Sequence, residues 1–259
     1  VKTHHIDIKR AASLVAEVAI LLISNGANST RTQRNVLRIT DTYGYNTEIF
    51  FSFSGIMLTI TDAEGNSETV IKTVKSHGVD FNLITEISIL TWDIFKKNMK
   101  YEEIQARIAD IKRKPHYGEW TKMIWIGLAT GALCMIFSGN YEEFFIAFLA
   151  GSIGFLVKLF LIKKRYNPFM ICLMSAFVSA SVVQMAVLLG FGSCAAALTA
   201  CVLWLIPGVP LINGCLDLLE GHIVSGWARV ALGSMLVFMI AVGYYFAVFI
   251  FKYFSYAGG

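Results

Sequence analysis

Charge is what the second half of this chain has least of. Of 22 lysines and arginines, 15 precede Thr121, as do 14 of the 18 aspartates and glutamates, so the first half reads as water-soluble and the second as embedded in an apolar medium. Metal and redox signals are missing too. The five cysteines (Cys134, Cys172, Cys194, Cys201, Cys215) fall in apolar segments without C-x-x-C spacing and read as small packing residues. His4, His5, His77 and His116 are not spaced as metal ligands, and there is no metalloprotease, phosphate-loop or nucleophile-elbow pattern. These absences argue against an enzyme and imply no cofactor. The net charge of +4 is modest and dispersed, which leaves no electrostatic footprint for nucleic acid.

What the chain has in excess is apolar surface. Of its 259 residues 56% are hydrophobic, and the mean hydropathy is +0.60, far above what a soluble core requires. An integral membrane protein is expected. The stretch 11–24 is apolar but too short to cross a bilayer, and Glu17 inside it argues against a secretion signal.

Periodicity sorts the first half into elements. Leu14, Val18, Leu21 and Leu22 share a helix face that ends at Asn25-Gly26, and a second helix is expected from near Thr30, with Thr30 and Gln33 as a capping box. From Tyr45 the period drops to two, which predicts a strand, then two more at 56–61 and 68–74 joined by a turn over 62–66. Helical spacing returns with Leu83, Ile87, Leu90 and Ile94, and a last helix is expected at 101–112. The expectation is a cytoplasmic α+β domain at 1–118.

Residues 119–259 are expected to form an α-helical membrane domain of five spans, at 121–137, 143–162, 169–190, 193–219 and 226–251. The fourth is broken at Pro207-Gly208-Val209-Pro210. Lys112, Arg113 and Lys114 precede the first span and Lys163, Lys164 and Arg165 follow the second, whereas the loop at 138–143 has no basic residue. This bias places the amino terminus in the cytoplasm. Gly127-x-x-x-Gly131 and Ala147-x-x-x-Gly151 give helix faces on which other helices can pack closely. Lys158, about one and a half turns before Lys163, can snorkel toward the surface, and Gln184 is expected to hydrogen-bond between helices.

The fourth segment carries the chemistry. Its roughly twenty-seven residues exceed the about twenty that cross a hydrocarbon core, and two prolines with a glycine should unwind it around 206–211. Non-helical backbone at that depth is tolerated where it lines a cavity or is buried in protein. A half-helix restarting near Leu211 would aim free N–H groups at a solute carboxylate. Asn213, Asp217 and Glu220 share one face of it, and Arg229 follows just inside the next span. Pro207, Gly208, Val209, Pro210, Asn213, Asp217 and Arg229 are therefore the candidate substrate-binding residues. Asp217, His222 and Glu220 are the candidates for a coupled proton. Glu220, His222 and Arg229 are also compatible with the headgroup level.

Leu205-Ile206-Pro207-Gly208-Val209-Pro210-Leu211-Ile212-Asn213-Gly214, with Asp217, Gly221-His222-Ile223 and Gly226-Trp227-Ala228-Arg229, resembles the signature of the threonine/serine exporter family. Residues 24–30 and 81–86 resemble further motifs of that family. The likeness implies export of small hydrophilic metabolites, either threonine and serine or dicarboxylates such as succinate, driven by the proton motive force across a bacterial inner membrane. With five expected spans and no second membrane block, the chain resembles the larger subunit of the family's two-component form. Its implied partners are a small multispan membrane subunit, further copies of itself and membrane lipids. A membrane-anchored metabolite sensor is the competing reading, and the polar residues in the last two segments favour transport over it.

Overall fold

The computed structural model describes residues 6–75, 77–114 and 117–257, so His4, His5 and His116 lie outside the described residues. The elements run α1 (Ile8–Ser24), α2 (Ser29–Thr42), β1 (Asn46–Ser52), β2 (Gly55–Thr61), β3 (Ser67–Thr73), α3 (Phe81–Lys97) and α4 (Tyr101–Arg113). They continue as α5 (Glu119–Ile136), α6 (Tyr141–Lys163), α7 (Pro168–Leu188), α8 (Ala195–Leu203), α9 (Gly208–Leu219) and α10 (Ile223–Ala257). Two compact units result, one of Val1–Pro115 with Gly208–Leu232 and one of His116–Pro207 with Gly233–Gly259.

The first unit is organised around α1, which buries a broad apolar face and keeps Lys9, Arg10 and Ser13 exposed, so its stability comes from packing that face. Leu14, Val15, Val18 and Leu22 of α1 are fully buried, in one core with Ile84, Ile87, Leu90 and Ile94 of α3, Ile104 and Ile108 of α4, and Leu58 and Ile60 of β2. Each such side chain contributes about 1.5–3 kcal/mol of hydrophobic stabilisation. The strands form one antiparallel sheet in the order β1-β2-β3. Asp62 closes the second hairpin by accepting the N–H groups of Glu64 and Asn66 at 3.1 and 2.8 Å. Helix α2 starts slightly earlier than the Thr30 capping box suggests: Asn28 is its cap, accepting the Arg31 N–H at 2.9 Å.

In the second unit small residues set the packing. A Cβ added at Gly127 would collide with Ser152, and one at Gly151 with Thr130, so the two glycine stripes of α5 and α6 face each other. Helix α8 begins against Glu143, whose carboxylate accepts the N–H groups of Ala196 and Ala197 at 3.1 Å each. These are two of the amides a helix start leaves unpaired.

The expectation of an α+β domain followed in order by five spans is not met. Among the described residues three helices are long and apolar enough to cross a membrane, at Tyr141–Lys163, Pro168–Leu188 and Ile223–Tyr253, and the broken pair α8 and α9 makes a fourth if taken as one span. Helix α5 falls short because Glu119 and Lys122 occupy its first turn and two tryptophans and two glycines dilute the rest of its eighteen residues. The units also do not follow chain order, because polar side chains of α9 and early α10 find buried partners on the α1–α2 turn. The break itself differs in detail. The backbone leaves helical form at 204–207 and α9 already begins at Gly208, since Pro210 then lies in a first turn, where a missing N–H costs nothing.

Candidate functional site

The site of interest lies within the first unit, where α1 gives way to α2. Gly26 turns the chain with a φ of +95°, a conformation other residues adopt only under strain. The next helix then begins with Ser29, whose backbone N–H has no partner inside α2. It donates to Asp217 Oδ1 of α9 at 2.9 Å, and the Ser29 hydroxyl donates to Asp217 Oδ2 at 2.9 Å.

Helix α10 supplies the remaining partners. Ser225 Oγ donates to Asp217 Oδ2 at 2.9 Å, and Arg229 Nε lies 3.2 Å from the same oxygen. Close approach of the two helices makes this possible. A Cβ at Gly214 would stand 2.8 Å from Val230, one at Gly226 would stand 2.9 Å from the Gly214 carbonyl, and Gly221, at φ +87°, makes the turn between them. Asp217 is wholly buried and Arg229 nearly so. A buried ion pair is sustained only if further hydrogen bonds satisfy its lone pairs, and here two serine hydroxyls and a backbone amide do so.

Asn213, one turn earlier on α9, donates to the Gly26 carbonyl at 2.7 Å. Beside it lies a cavity of about 40 Å³ lined by Val209, Pro210, Asn213, Arg229, His77 and Phe53 among others. Since a water's share of liquid volume is about 30 Å³, the cavity has room for one small polar group. His77 stacks on Phe53 with ring centroids 4.0 Å apart. The strap that carries it is pinned to the α1–α2 turn, where Gly78 N–H donates to Ser24 O at 2.8 Å and Asp80 N–H to Asn25 O at 3.0 Å. One side of His77 stays exposed. Partial burial, and then the charge of Arg229, hold its imidazole below the ordinary histidine range.

The structure thus brings Asn213, Asp217 and Arg229 together, with Val209 and Pro210 in the cavity wall. Gly208 has open space where a side chain would stand, and Glu220 is exposed at the end of α9. His222 gives its backbone N–H to the Asp217 carbonyl at 2.8 Å, while its ring meets Phe51 edge-on at 5.3 Å. Ser29, Ser225, His77 and Phe53 escape sequence reasoning. Ser29 sits inside a family-like motif and directly after a capping Asn28, the one signal that its amide would need a partner. Nothing in the local sequence points to the His77–Phe53 stack.

A buried ion pair on the second half of an interrupted apolar helix pair, in a chain with three, or with that pair four, helices among the described residues long and apolar enough to cross a membrane, fits a membrane transport protein. The family model described as "Putative threonine/serine exporter" (ThrE) matches residues 13–251, so the chain belongs to the threonine/serine exporter family. It is a multi-pass membrane exporter and not an enzyme. Among curated proteins it is similar to the "Probable succinate transporter subunit YjjP" of Klebsiella aerogenes, 26% identical over 233 residues that cover 89% of this chain and 90% of that one. The protein of the same name from Escherichia coli (strain K12) is 25% identical over 233 residues, with the same coverage. No solved structure matches the chain.

Proposed function

We propose that this chain is one subunit of a secondary exporter of small carboxylate-bearing metabolites, of which succinate and the amino acids threonine and serine are the first candidates. The observation that carries the reading is the buried Asp217–Arg229 pair beside a small polar cavity at the start of α9. A substrate carboxylate takes the place next to Arg229, with Asn213 and His77 as further hydrogen-bond partners. Val209 and Pro210 wall the cavity, Gly208 leaves the first turn of α9 uncrowded, and Pro207 holds the break. The cavity admits a single polar group, so export requires it to open, and the break supplies the joint at which α9 can move. Protons drive the cycle, with Asp217, His222, Glu220 and His77 as the titratable groups near the pathway.

The names of the two relatives support a multi-subunit assembly. The partner in this proposal is a small multispan membrane subunit of the same family, and the assembly sits in the bacterial inner membrane with its amino terminus in the cytoplasm. Vesicles containing this chain alone, the small subunit alone, or both test the proposal. Labelled succinate, threonine or serine should be exported only by the pair, and a protonophore should stop it. Export of none of the three by the pair, or undiminished export by this chain alone, overturns it.

A further inference from the structure

Lys158 lies inside α6, the 23-residue apolar helix Tyr141–Lys163. In the second unit the acidic residues are Glu119, Glu142 and Glu143, and all three are committed to helix starts. Glu119 pairs with Lys163 at 2.9 Å, Glu143 holds the beginning of α8, and Glu142 stands in the first turn of α6. Lys158 has no ion-pair partner among the described residues, and its ammonium rests 5.3 Å from the centre of the Trp204 ring.

Polar groups left without hydrogen-bond partners occur on the same helix pairing. Trp204 Nε1, Ser175 Oγ and Ser179 Oγ are each buried with no partner among the described residues, and Ser175 and Ser179 are fully buried. The two serines are one turn apart on α7. Ser179 Oγ is directed at Gly154 of α6, where an added Cβ would collide with it and come 3.2 Å from the Trp204 ring. Helices α6 and α7, joined by the short connection at 164–167, run antiparallel. The pairing that sets Gly154 on Ser179 therefore brings Lys158, a turn further along α6, to the level of Ser175. Cys172 of α7 is within electrostatic reach of Lys158. The result is a seam of one cation, one indole N–H and two hydroxyls that are each able to donate.

A buried polar group without a hydrogen-bond partner is destabilising, and a cation in an apolar surround more so. Such groups in a native fold ask for an explanation. Trp has a donor only and Lys three donors, so the complement is an anion with several acceptor oxygens. An amine would be repelled. We propose that Lys158, Trp204, Ser175 and Ser179 form a second binding station, one that takes a carboxylate group of the metabolite within the membrane unit. The proposal rests on the transport reading above. It adds a station that the Asp217–Arg229 site does not contain.

Titration of the purified full-length chain with labelled succinate, and with the neutral diamide of succinate as control, tests the station directly. Succinate should bind and the diamide should not. Lys158→Gln should weaken binding by about tenfold or more, as expected for a lost charge-assisted bond, while Lys158→Arg retains most of it. Trp204→Phe keeps the ring but removes the N–H. It should weaken binding several-fold without lowering the melting temperature, since an unpartnered donor is lost, whereas a packing role predicts a lower melting temperature and unchanged binding. Wild-type affinity in Lys158→Gln and Trp204→Phe, loss of binding in Arg229→Gln alone, or no succinate binding by the unaltered chain each overturns the station. Binding without export by the assembled pair overturns the exporter reading instead, so the two failures are distinguishable.

Discussion

Ser29 gives its backbone N–H to the carboxylate of Asp217 across 188 positions of sequence, at 2.9 Å. The bond joins the start of α2 to the last turn of α9, and it places a negative charge where the α2 dipole favours one. Because Ser225 and Arg229 converge on the same carboxylate, one side chain ties together three helices of the first unit.

That convergence predicts strong coupling between Asp217 and Arg229. Asp217→Ala should destabilise the protein by about 3–5 kcal/mol, because it leaves a buried guanidinium without its counter-charge. Arg229→Met added to it should restore part of the loss. Thermal unfolding of both single variants and the double variant in detergent measures the coupling. Strictly additive losses would show that the pair is not the staple described here. The same arithmetic governs any export measurement on Asp217→Asn, whose amide hydrogens would face the Ser29 and Ser225 donors. A proton-coupling role is isolated only when Arg229→Gln is tested beside it.

The two prolines of the break should differ. Pro207 lies in the non-helical stretch and prevents α8 from running into α9, whereas Pro210 lies in the first turn of α9. Pro207→Ala should therefore reduce export well beyond any fall in expression, and Pro210→Ala much less. Equal export by both variants and the unaltered protein would make the break a passive kink.

His77 should titrate below the ordinary histidine value of about 6.5, because partial burial and then the Arg229 charge oppose its protonation. The sign is definite. At pH 7 the imidazole is neutral, and it gains its proton only on acidification past the ordinary range. Arg229→Gln should raise the value part of the way back, since burial against Phe53 remains. Histidine ring signals followed by NMR through a pH series in nanodiscs give the answer. A midpoint at or above the ordinary value would remove His77 from the neighbourhood of Arg229.

Much of this fold is legible in the sequence where a local rule is strong. The alternation from Tyr45 and the turn residues at 62–66 locate β1, β2 and β3 to within about two residues of their ends, and Pro207 locates the break. Of the expected spans, 121–137 is the one misread, whereas 226–251 lies in a helix long and apolar enough to cross a membrane that extends further than expected. Apolar content alone makes 121–137 and 226–251 look like spans of equal standing. Yet Glu119 and Lys122 weaken the first. The second belongs to a helix whose described span, Ile223–Tyr253, is 31 residues long, about 46 Å at 1.5 Å per residue against a hydrocarbon core of about 30 Å. The surplus turns, carrying Ser225 and Arg229, pack into the first unit. At the site, Asn213, Asp217 and Arg229 stand out because ionisable and amide groups are rare in apolar segments. Ser29 and His77 are ordinary residues in polar surroundings, and only the tertiary contacts give them a role.

The proposed orientation predicts opposite exposure of the two ends of α6. In a cysteine-free background, a cysteine at Asn140 should react with an impermeant reagent added outside intact cells, and one at Tyr166 only after the membrane is opened. Outside labelling of Tyr166 would reverse the orientation.

The crossing of α9 and α10 gives the sharpest structural test, because two glycines ten residues or fewer from the ion pair occupy opposite environments. At Gly214 an added Cβ would stand 2.8 Å from the Val230 side chain and 2.9 Å from the Val230 backbone nitrogen, whereas at Gly208 nothing lies within 4 Å. Backbone cannot yield as a flexible side chain does, so Gly214→Ala must push α10 away from α9. That displacement lengthens the contact between Asp217 and Arg229. Overpacking of this kind costs about 1–3 kcal/mol, and the weakened ion pair adds to it. Gly208→Ala should be neutral or slightly stabilising, since alanine favours a helix start over glycine's freedom in the unfolded chain. Melting temperatures of the two variants, with export measured alongside, decide the matter: equal stability in Gly214→Ala and Gly208→Ala would mean that the close crossing does not hold the ion pair in place.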